Sequence, residues 1–417
     1  MLRFRGPHLR WPTRAPTRRL LSTPPPVTVV EKIIMDGIKA TGPISFSTYM
    51  QMCLSHPTAG YYMNPKNPIF GSKGDFVTSP EITSLFGELL GVWLMSQWMQ
   101  GPQLPIRIVE LGPGRGTLMQ DVIRVLARFG KDKLRSVHLI ETSPTLKALQ
   151  EARLEPEARK SNCTLGWHDS VDDIAPSAEE YTMVVAHEFF DALPFHTIQK
   201  TEQGWQELLI ALAESSEETY PRFRYVLSPQ ASAASTLLGF SSSRFKDMPV
   251  GSRIEVSPIA FKTMHAIGEL IHGPPREGSS TVSLGCGLVV DYGADRAFDQ
   301  SFRAFKNHEI ADIFHEPGEC DLTVNVDFAY LREAVGDFGV THGPISQAAF
   351  LEGMGLSMRV EAAAQRSEDG GVAIREAAKR LVDPSGMGEE YKVLGIGGHV
   401  PGAVWPFVPE TGDREIA

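Results

Sequence analysis

Short apolar runs alternate with amphipathic stretches through the middle of the chain. Residues 106–111, 137–140 and 183–186 are apolar runs that predict buried strands. Helical spacing fills the intervals between them, at residues 117–129 and after Ser143-Pro144, a favourable helix start. Because strands that alternate with helices form parallel sheets with helices on their faces, this pattern predicts a doubly wound α/β fold.

The segment before these strands, residues 27–100, is predicted to be mostly helical with one loop rich in glycine and proline. Pro80 suits the first turn of a helix because its missing N–H costs nothing there, and Ser79 is the predicted N-cap. Apolar residues then follow at helical spacing: Ile82, Leu85, Phe86, Leu89, Leu90 and Trp93.

The strand–helix alternation stops near residue 201 and resumes near residue 281. Strand-like runs at 205–210 and 223–227, with a serine-rich run at 231–243, predict an inserted cap. Further strands are predicted at 287–291 and 391–396, with a helix near 327–338. The predicted organisation is a leader at 1–26, a helical region at 27–100, core halves at 101–200 and 281–400 flanking a cap at 201–280, and a tail at 401–417.

Composition narrows the class of protein. The 417 residues are 42% hydrophobic and 22% charged, as in globular proteins, and the net charge of −10 argues against a nucleic-acid partner. The longest apolar stretch, residues 84–99, is interrupted by Glu88 and Gln97, so no membrane span is predicted. Four widely separated cysteines without a CxxC pair disfavour a zinc site and a disulfide framework, and suggest a reducing compartment. No histidine spacing indicates a metal, so none is predicted.

The first 30 residues differ from the rest, because they hold six arginines and no acidic residue. Removing them changes the net charge from −10 to −16. An arginine-rich, acid-free leader that contains serine and threonine is typical of a mitochondrial transit peptide, and it predicts the mitochondrial matrix. A basic tail without a targeting role is the alternative.

A glycine-rich turn follows the predicted strand at 106–111. Gly112, Gly114 and Gly116 form a G-x-G-x-G pattern between that strand and the next helix. Such a turn lets the backbone approach a ligand at the positive end of a helix. A dinucleotide fingerprint would need glycine in place of Thr117, which weakens the nicotinamide and flavin interpretations. Taken alone, the turn could also be only structural.

Two acidic residues follow the next predicted strands. Glu141 ends the second strand, where an acid commonly accepts hydrogen bonds from a ribose diol, and Asp169 is placed to meet an adenine amino group. Either acid alone could equally be a solvated surface carboxylate. The ordered series resembles the layout of class I S-adenosylmethionine methyltransferases.

Six blocks of the sequence make this resemblance specific. They are GDFVTSPEI at 74–82, ELGPGRGTL at 110–118, EFFDALP at 188–194, DYG at 291–293, PGECDLT at 317–323 with VDF at 326–328, and MG at 387–388 before YKVL at 391–394. Together they resemble the MidA family over nearly the whole chain from residue 35 to residue 400. The resemblance implies a class I methyltransferase fold, S-adenosyl-L-methionine as cofactor, and type II (symmetric) dimethylation of an arginine on a core peripheral-arm subunit of mitochondrial complex I, in support of its assembly.

The resemblance also implies roles for single residues. Glu188 is the expected guanidinium-binding carboxylate and Asp191 its partner, whereas a buried ion pair and a helix cap are the structural alternatives. His187, where family members often have asparagine, is expected to be either a proton acceptor or a buried histidine with satisfied hydrogen bonds, the second being favoured.

On the cofactor side, the expected residues are the three glycines of the turn, Glu110 before it, and Glu141 and Asp169. Asp75 is expected near the methionine part of the cofactor or near the acceptor, unless its loop only packs. Arg115 pairs with the cofactor carboxylate or braces the turn. Two rival functions stay open: methylation of a small molecule or nucleic acid, and an assembly chaperone that holds the cofactor without essential catalysis.

Overall fold

The computed structural model describes residues 25–64, 77–130, 132–214, 220–274, 284–367, 370–397 and 404–407. The strands, in chain order, are β1 Ile44–Ser45, β2 Ile106–Leu111, β3 Leu134–Ile140, β4 Thr164–His168, β5 Tyr181–His187, β6 His196–Thr201, β7 Gly204–Leu212, β8 Phe223–Leu227, β9 Arg253–Val256, β10 Gly285–Ala294, β11 Arg303–Lys306, β12 Glu309–Ala311, β13 Asp321–Thr323, β14 Val326–Asp327, β15 Val340–Ser346 and β16 Tyr391–Gly397. The α-helices are α1 Val29–Thr41, α2 Phe46–Ser55, α3 Ser79–Ile82, α4 Ser84–Gln100, α5 Thr117–Gly130, α6 Pro144–Ser161, α7 Ala233–Gly239, α8 Ser243–Lys246, α9 Pro258–His272, α10 Phe328–Val335, α11 Gln347–Gly353, α12 Leu356–Ala364, α13 Val372–Leu381 and α14 Met387–Glu390.

The main sheet combines parallel strands with an antiparallel edge. Its order among the described residues is β15-β16-β10-β5-β2-β3-β4, and β14 pairs with β10. Strands β4, β3, β2, β5 and β10 are parallel, whereas β16 is antiparallel to both of its neighbours. The chain passes from β2 to β3 on one side and returns to β5 on the other. In open α/β sheets, ligands bind outside the carboxyl ends of the strands at such a reversal.

The central strands are apolar throughout because both faces of the sheet are covered. Neighbouring side chains of a strand point to opposite faces. In β2, Ile108 packs in the layer that contains Leu89 and Leu126 of α4 and α5, while Val109 packs with Met264 of α9. The predicted strands at 106–111, 137–140, 183–186, 287–291 and 391–396 and the predicted helix at 117–129 are confirmed, most of them with wider bounds.

A smaller sheet forms a second layered unit. Strands β9, β6 and β7 lie in that order, and β1 and β8 both pair with β7. One face packs against α1 and α2 through residues such as Leu208 and Ile210, and the other face packs against α7 and α8 through Trp205 and Ile198. The helical N-terminal region and the strand-rich insertion therefore share this sheet rather than forming separate parts.

The boundaries of the predicted cap differ from those of this unit. Strand β6 begins at His196, before residue 201, and pairs with β7. Helix α9 lies inside the interval 201–280 but packs on the main sheet, because its apolar residues Met264, Ile267 and Ile271 join the layer that contains Val109. The predicted leader up to residue 24 and most of the predicted tail lie outside the described residues.

The helix predicted to start at Pro80 is divided in two. Thr83 adopts an extended conformation with φ −161° and ψ 143°, which ends α3, and its side chain accepts a hydrogen bond from the N–H of Leu85 to start α4. The N-cap of α3 is Thr78, so the prediction of Ser79 as N-cap was wrong. Among the described residues, no helix is both long enough and apolar enough to cross a bilayer.

Candidate active site

A cavity of about 1610 Å³ opens at the carboxyl ends of the central strands. The glycine turn after β2 lines one end, together with Glu141 after β3 and Asp169 after β4. Glu188 and Asp191, which follow β5, line the middle, and the far end reaches the small sheet. The structure thus brings most of the predicted cofactor residues into one continuous cavity with His187, Glu188 and Asp191, whereas Gly116 does not line it.

The glycine turn adopts backbone conformations that side chains disfavour. The φ angles of Gly112, Gly114 and Gly116 are 64°, 52° and 77°, in the region that glycine enters most readily. A Cβ atom at Gly112 would lie 2.9 Å from Cδ2 of Phe189, the residue after Glu188. The turn therefore packs directly against the loop that carries the acidic pair.

The carboxylates beside the turn fit a ligand rich in N–H and O–H donors. Oε1 of Glu141 accepts from the N–H of Ser143 at 2.8 Å, and its Oε2 accepts from the amide of Gln150 at 3.1 Å, which leaves lone pairs on both oxygens. Glu110 is buried, its Oε2 has no hydrogen-bond partner among the described residues, and burial raises its pKa to about 8. A buried carboxyl without a partner in a cavity wall is a group that a bound ligand satisfies.

Other residues predicted near the cofactor occupy less central positions. The side chain of Asp169 is 77% exposed and pairs with Lys147 at 3.0 Å, so it forms part of the rim. Arg115 lies 3.7 Å from Glu81, an ion pair that braces the turn. Asp75 lies outside the described residues.

The loop from Glu188 to Asp191 is held by a buried carboxylate from β10. Oδ2 of Asp291 accepts hydrogen bonds from the N–H groups of Phe189, Phe190 and Asp191 at 3.2, 3.0 and 3.3 Å. Its Oδ1 accepts from the N–H of Tyr292 at 2.9 Å. Glu188 itself has a φ of 49°, a left-handed conformation that is uncommon for a residue with a side chain. Three of these four bonds come from the loop, so one side chain fixes a turn that the backbone alone does not favour.

The two carboxyl groups of this loop point into the cavity with different partners. Oε1 of Glu188 accepts a hydrogen bond from the hydroxyl of Tyr391 at 3.0 Å. Oδ2 of Asp191 accepts a short one from the hydroxyl of Tyr292, while its Oδ1 is buried with no hydrogen-bond partner among the described residues. The pair therefore presents acceptor capacity that the protein leaves unused.

Burial sets the protonation of this pair. Burial, with a further contribution from the charge of Asp191, raises the pKa of Glu188 to about 8. Burial raises the pKa of Asp191 to about 6, although the hydrogen bond from Tyr292 and the charge of Arg303 oppose the change. Without a cation in the cavity, Glu188 holds a proton at neutral pH. A cationic ligand would favour the ionised form.

His187 is buried beside Glu188, between the rings of Phe86 and Tyr391. Burial lowers the pKa of this imidazole to about 3, so it is neutral at physiological pH. Its Nε2 lies 3.4 Å from Oε1 of Glu188 without forming a hydrogen bond, and it has no other partner among the described residues. The side chain is buried, as the favoured interpretation expected, but its hydrogen bonds are not satisfied.

Several residues of the cavity wall were not predicted as site residues. Asp321, in β13, is buried and accepts a hydrogen bond from the hydroxyl of Tyr62 at 2.8 Å. The guanidinium of Arg303 lies 5.0 Å from the ring centre of Tyr292. Asp321 and Tyr292 belong to blocks that the sequence analysis singled out, but nothing in their local pattern indicates that they face Glu188. Among the described residues, no group of three or more acidic, histidine or cysteine side chains could hold a metal ion.

Comparison with known proteins assigns the family. A model of S-adenosyl-L-methionine-dependent methyltransferases matches residues 89–345, more than half of the chain. The mitochondrial protein arginine methyltransferase NDUFAF7 homolog of Drosophila melanogaster is 37% identical over 379 residues, which cover 86% of this chain and 82% of that protein. The mitochondrial protein arginine methyltransferase NDUFAF7 of Homo sapiens is 34% identical over 393 residues, covering 89% and 84%.

Solved structures agree with the fold. A protein of Burkholderia thailandensis, solved with bound S-adenosyl-homocysteine, superposes with a TM-score of 0.73 at 22% identity over 94% of this chain and 99% of its own. A native crystal structure from the same organism gives the same TM-score at 23% identity. The glycine turn, the acids that follow successive strands and the match over most of the chain agree with one another. The chain belongs to the MidA-like family of S-adenosyl-L-methionine-dependent methyltransferases.

Proposed function

We propose that this protein is a mitochondrial protein arginine methyltransferase that symmetrically dimethylates an arginine on a core peripheral-arm subunit of complex I and so supports assembly of the complex. The observation that carries the proposal is the pair of buried carboxyl groups, Glu188 and Asp191, in the same cavity as the glycine turn. Carboxylates in pairs suit a guanidinium, whose planar fork donates parallel hydrogen bonds.

The acidic pair has two tasks in this proposal. It binds and orients the guanidinium, for which Oδ1 of Asp191 is an unused acceptor. It also accepts a proton, because an arginine with a pKa above about 12 arrives protonated and has to lose a proton as a nitrogen gains a methyl group. A carboxylate such as Glu188, whose pKa is raised to about 8, is a better proton acceptor than an ordinary glutamate. His187, with a pKa lowered to about 3, is a weaker candidate for this step.

The other predicted residues would hold the cofactor. Bound S-adenosyl-L-methionine supplies an electrophilic methyl group. Gly112, Gly114 and Gly116 would let the turn take the shape that brings its backbone close to the cofactor, and Glu141 would accept hydrogen bonds from its ribose. Glu110 would accept from a nearby donor of the ligand, with Asp169 at the adenine side. A role for Asp75 near the methionine part of the cofactor or near the acceptor is supported by the resemblance alone.

The proposed mitochondrial location and the proposed methyl-accepting subunit are supported by different observations. The relatives named above are described as mitochondrial, and the arginine-rich leader independently favours import. The matrix is the compartment that such a leader serves. The resemblance to the MidA family supports the peripheral-arm subunit as acceptor and the symmetric product.

The test compares Glu188→Gln with the wild type in cells and in vitro. Glutamine keeps the shape but cannot ionise, so we expect loss of arginine dimethylation on the peripheral-arm subunit, measured by peptide mass spectrometry, while calorimetry finds S-adenosyl-homocysteine bound as in the wild type. Glu155→Gln, at an exposed position on α6, is the matched control. It should change neither arginine dimethylation nor binding of S-adenosyl-homocysteine.

A second variant distinguishes a methyltransferase from an assembly chaperone that binds the subunit without methylating it. Gly114→Val should obstruct the turn and remove both cofactor binding and the methyl marks. If the marks persist in this variant while complex I assembly fails, the assembly chaperone becomes the better proposal and the catalytic roles above fall.

A further inference from the structure

We propose that the far end of the cavity binds the polypeptide segment that flanks the acceptor arginine, with an apolar side chain of that segment packed on Tyr225. This part of the cavity, the distal arm, is lined by Phe46, Tyr225, Arg253, Asp299, Phe302 and Ile310. The inference rests on the proposed function, because it assumes that the arginine is presented to Glu188 and Asp191 by a protein.

The cavity is larger than a small-molecule site requires. Its volume of about 1610 Å³ exceeds the range of about 300–1,000 Å³ that is typical of ligand pockets. The cofactor residues and the acidic pair occupy one end and the middle of it. The distal arm continues beyond the acidic pair, so space remains for groups attached to the arginine.

The distal arm contains a fixed aromatic surface. The ring of Tyr225 stacks on that of Phe46, with centres 5.5 Å apart and planes 16° apart, and Phe46 is only 4% exposed. Tyr225 itself is 50% exposed, and Ile310 is 41% exposed. Half-exposed rings held rigidly beside charged side chains are typical of protein-recognition surfaces, where they give contact area at little entropic cost.

The aromatic surface is extended by Phe302, whose ring lies edge-on to that of Phe46 with centres 5.9 Å apart. Buried polar contacts order this residue, because Glu255 of β9 accepts hydrogen bonds from the N–H groups of Ser301 and Phe302 at 2.9 and 3.2 Å. The aromatic surface is therefore tied to the small sheet.

A continuous series of contacts connects this surface with the acidic pair. Phe302 precedes Arg303, whose guanidinium covers the ring of Tyr292, and the hydroxyl of Tyr292 donates to Asp191. An extended segment whose arginine lies at Asp191 can therefore continue along these contacts into the distal arm, since extended chain advances about 3.3 Å per residue.

The charges of the distal arm are nearly balanced. Among the lining residues between 253 and 325 that the structure describes, the carboxyl groups are those of Glu255, Asp299, Asp312 and Asp321, and the arginines are Arg253, Arg296 and Arg303. Such a surface suits a segment with polar groups of both kinds rather than a strongly charged one. The occupant that fits is an extended segment of the acceptor protein with an aromatic or large aliphatic residue near the modified arginine.

The experiment uses the full-length protein, a labelled methyl donor and a library of peptides with one central arginine and randomised flanks. Mass spectrometry identifies the methylated peptides. We expect wild type and Tyr225→Phe to enrich an aromatic or large aliphatic residue at one fixed offset from the arginine. Tyr225→Ala should lose that enrichment, and its kcat/KM for an enriched peptide should fall about tenfold. Methylation of the minimal probe acetyl-Gly-Arg-Gly-amide should stay unchanged.

Phe240→Ala is the matched control, because Phe240 is 66% exposed and follows α7, which packs on the other face of the small sheet. It should behave as the wild type. Equal enrichment in Tyr225→Ala would overturn the inference, as would methylation of the intact subunit without any methylation of the library. If Tyr225→Ala instead converts a dimer into a monomer and leaves peptide selection unchanged, a second copy of the chain occupies the distal arm. If the wild type methylates no arginine in any substrate, the proposed function fails first.

Discussion

The hydrogen bonds that the structure shows for the side chain of Asp291 all come from backbone N–H groups. Asp291 is fully buried and accepts four N–H groups, three of them from the loop that carries Glu188 and Asp191. It makes no contact with the cavity in its own right, so its role is to position the loop. Such support matters because the acceptor has to be held in a narrow range of geometries.

Asp291→Asn should therefore lower kcat for arginine methylation by about tenfold to a hundredfold. An asparagine amide would face one of the N–H groups that the carboxylate now satisfies, and the loop would shift. Calorimetry should still find S-adenosyl-homocysteine bound with an affinity within about twofold of the wild type, which also reports a folded protein. Asp295→Asn is the matched control, since Asp295 directly follows β10 and pairs with Arg332 at the surface. An unchanged kcat in Asp291→Asn would contradict the positioning role.

The raised pKa of Glu188 predicts how stability depends on pH. The carboxyl titrates near 4.5 when the chain is unfolded and at about 8 in the folded protein. Between these values the folded state binds more protons than the unfolded state, so the free energy of unfolding falls as pH rises, by up to about 1.4 kcal/mol per pH unit.

Urea unfolding between about pH 5 and about pH 8 measures this slope. Glu188→Gln should remove the contribution of this group and flatten the curve. Glu361→Gln, at an exposed ion pair with Arg375, is the control and should leave the slope as it is. A slope that is the same in wild type and Glu188→Gln would show that Glu188 titrates normally in the folded protein.

At the scale of elements, the glycine turn and the acidic loop form one unit. The turn ends β2, the loop ends the neighbouring β5, and Gly112 contacts Phe189 where the two meet. Both contain residues with positive φ angles, which glycine permits in the turn and which the hydrogen bonds to Asp291 hold in the loop. Alteration of one should therefore disturb the other.

Gly112→Ala should weaken binding of S-adenosyl-homocysteine about tenfold or more, because the added Cβ would lie 2.9 Å from Phe189 and the backbone has a positive φ. Gly370→Ala is the control for the general cost of a Cβ at a positive φ. Its φ of 65° nearly equals that of Gly112, but it lies outside the cavity and an added Cβ there would meet nothing within 4 Å. Calorimetry should find normal binding in Gly370→Ala. Equal weakening in both variants would mean that general destabilisation, rather than a change at the glycine turn, explains the loss.

At the scale of the molecule, a buried ion pair joins the N-terminal segment to the small sheet. Arg222 donates to both carboxylate oxygens of Glu31 at 3.0 and 3.2 Å and to the carbonyl of Pro25 at 3.0 Å. Glu31 is 1% exposed, so Arg222 supplies contacts that water cannot. The contact fixes the start of α1 against the unit that forms one wall of the cavity.

Arg222→Met should lower the free energy of unfolding by about 3–5 kcal/mol, because it leaves the Glu31 charge buried without an opposite charge beside it. In the double variant Glu31→Gln with Arg222→Met, the free energy of unfolding should fall by less, since no unpaired charge is then buried. Arg375→Met removes the exposed partner of Glu361 and should cost at most about 1 kcal/mol. Urea unfolding measures all three. Equal losses in the single and double variants would contradict this role for the buried pair.

Local sequence pattern was enough to specify the parts of the fold that depend on neighbouring residues. Apolar runs, a glycine turn and capping residues specify strands, a turn and helices within a few residues, so the main strands and α5 were predicted and confirmed. The order of acids after successive strands placed Glu141 and Asp169 at one edge of the sheet, because parallel strands end together, and the family resemblance added Glu188 and Asp191.

Tertiary structure decided which distant residues meet. Tyr391 lies 203 residues from the Glu188 that it contacts, and Tyr62 lies 259 residues from Asp321. Helix α9 has the same helical pattern whether it packs on the main sheet or on a cap, and Thr83 interrupts a helix whose apolar spacing continues through it. The protonation of Glu188 was also decided at this level, because burial is a property of the folded chain and leaves no mark in the pattern of neighbouring residues.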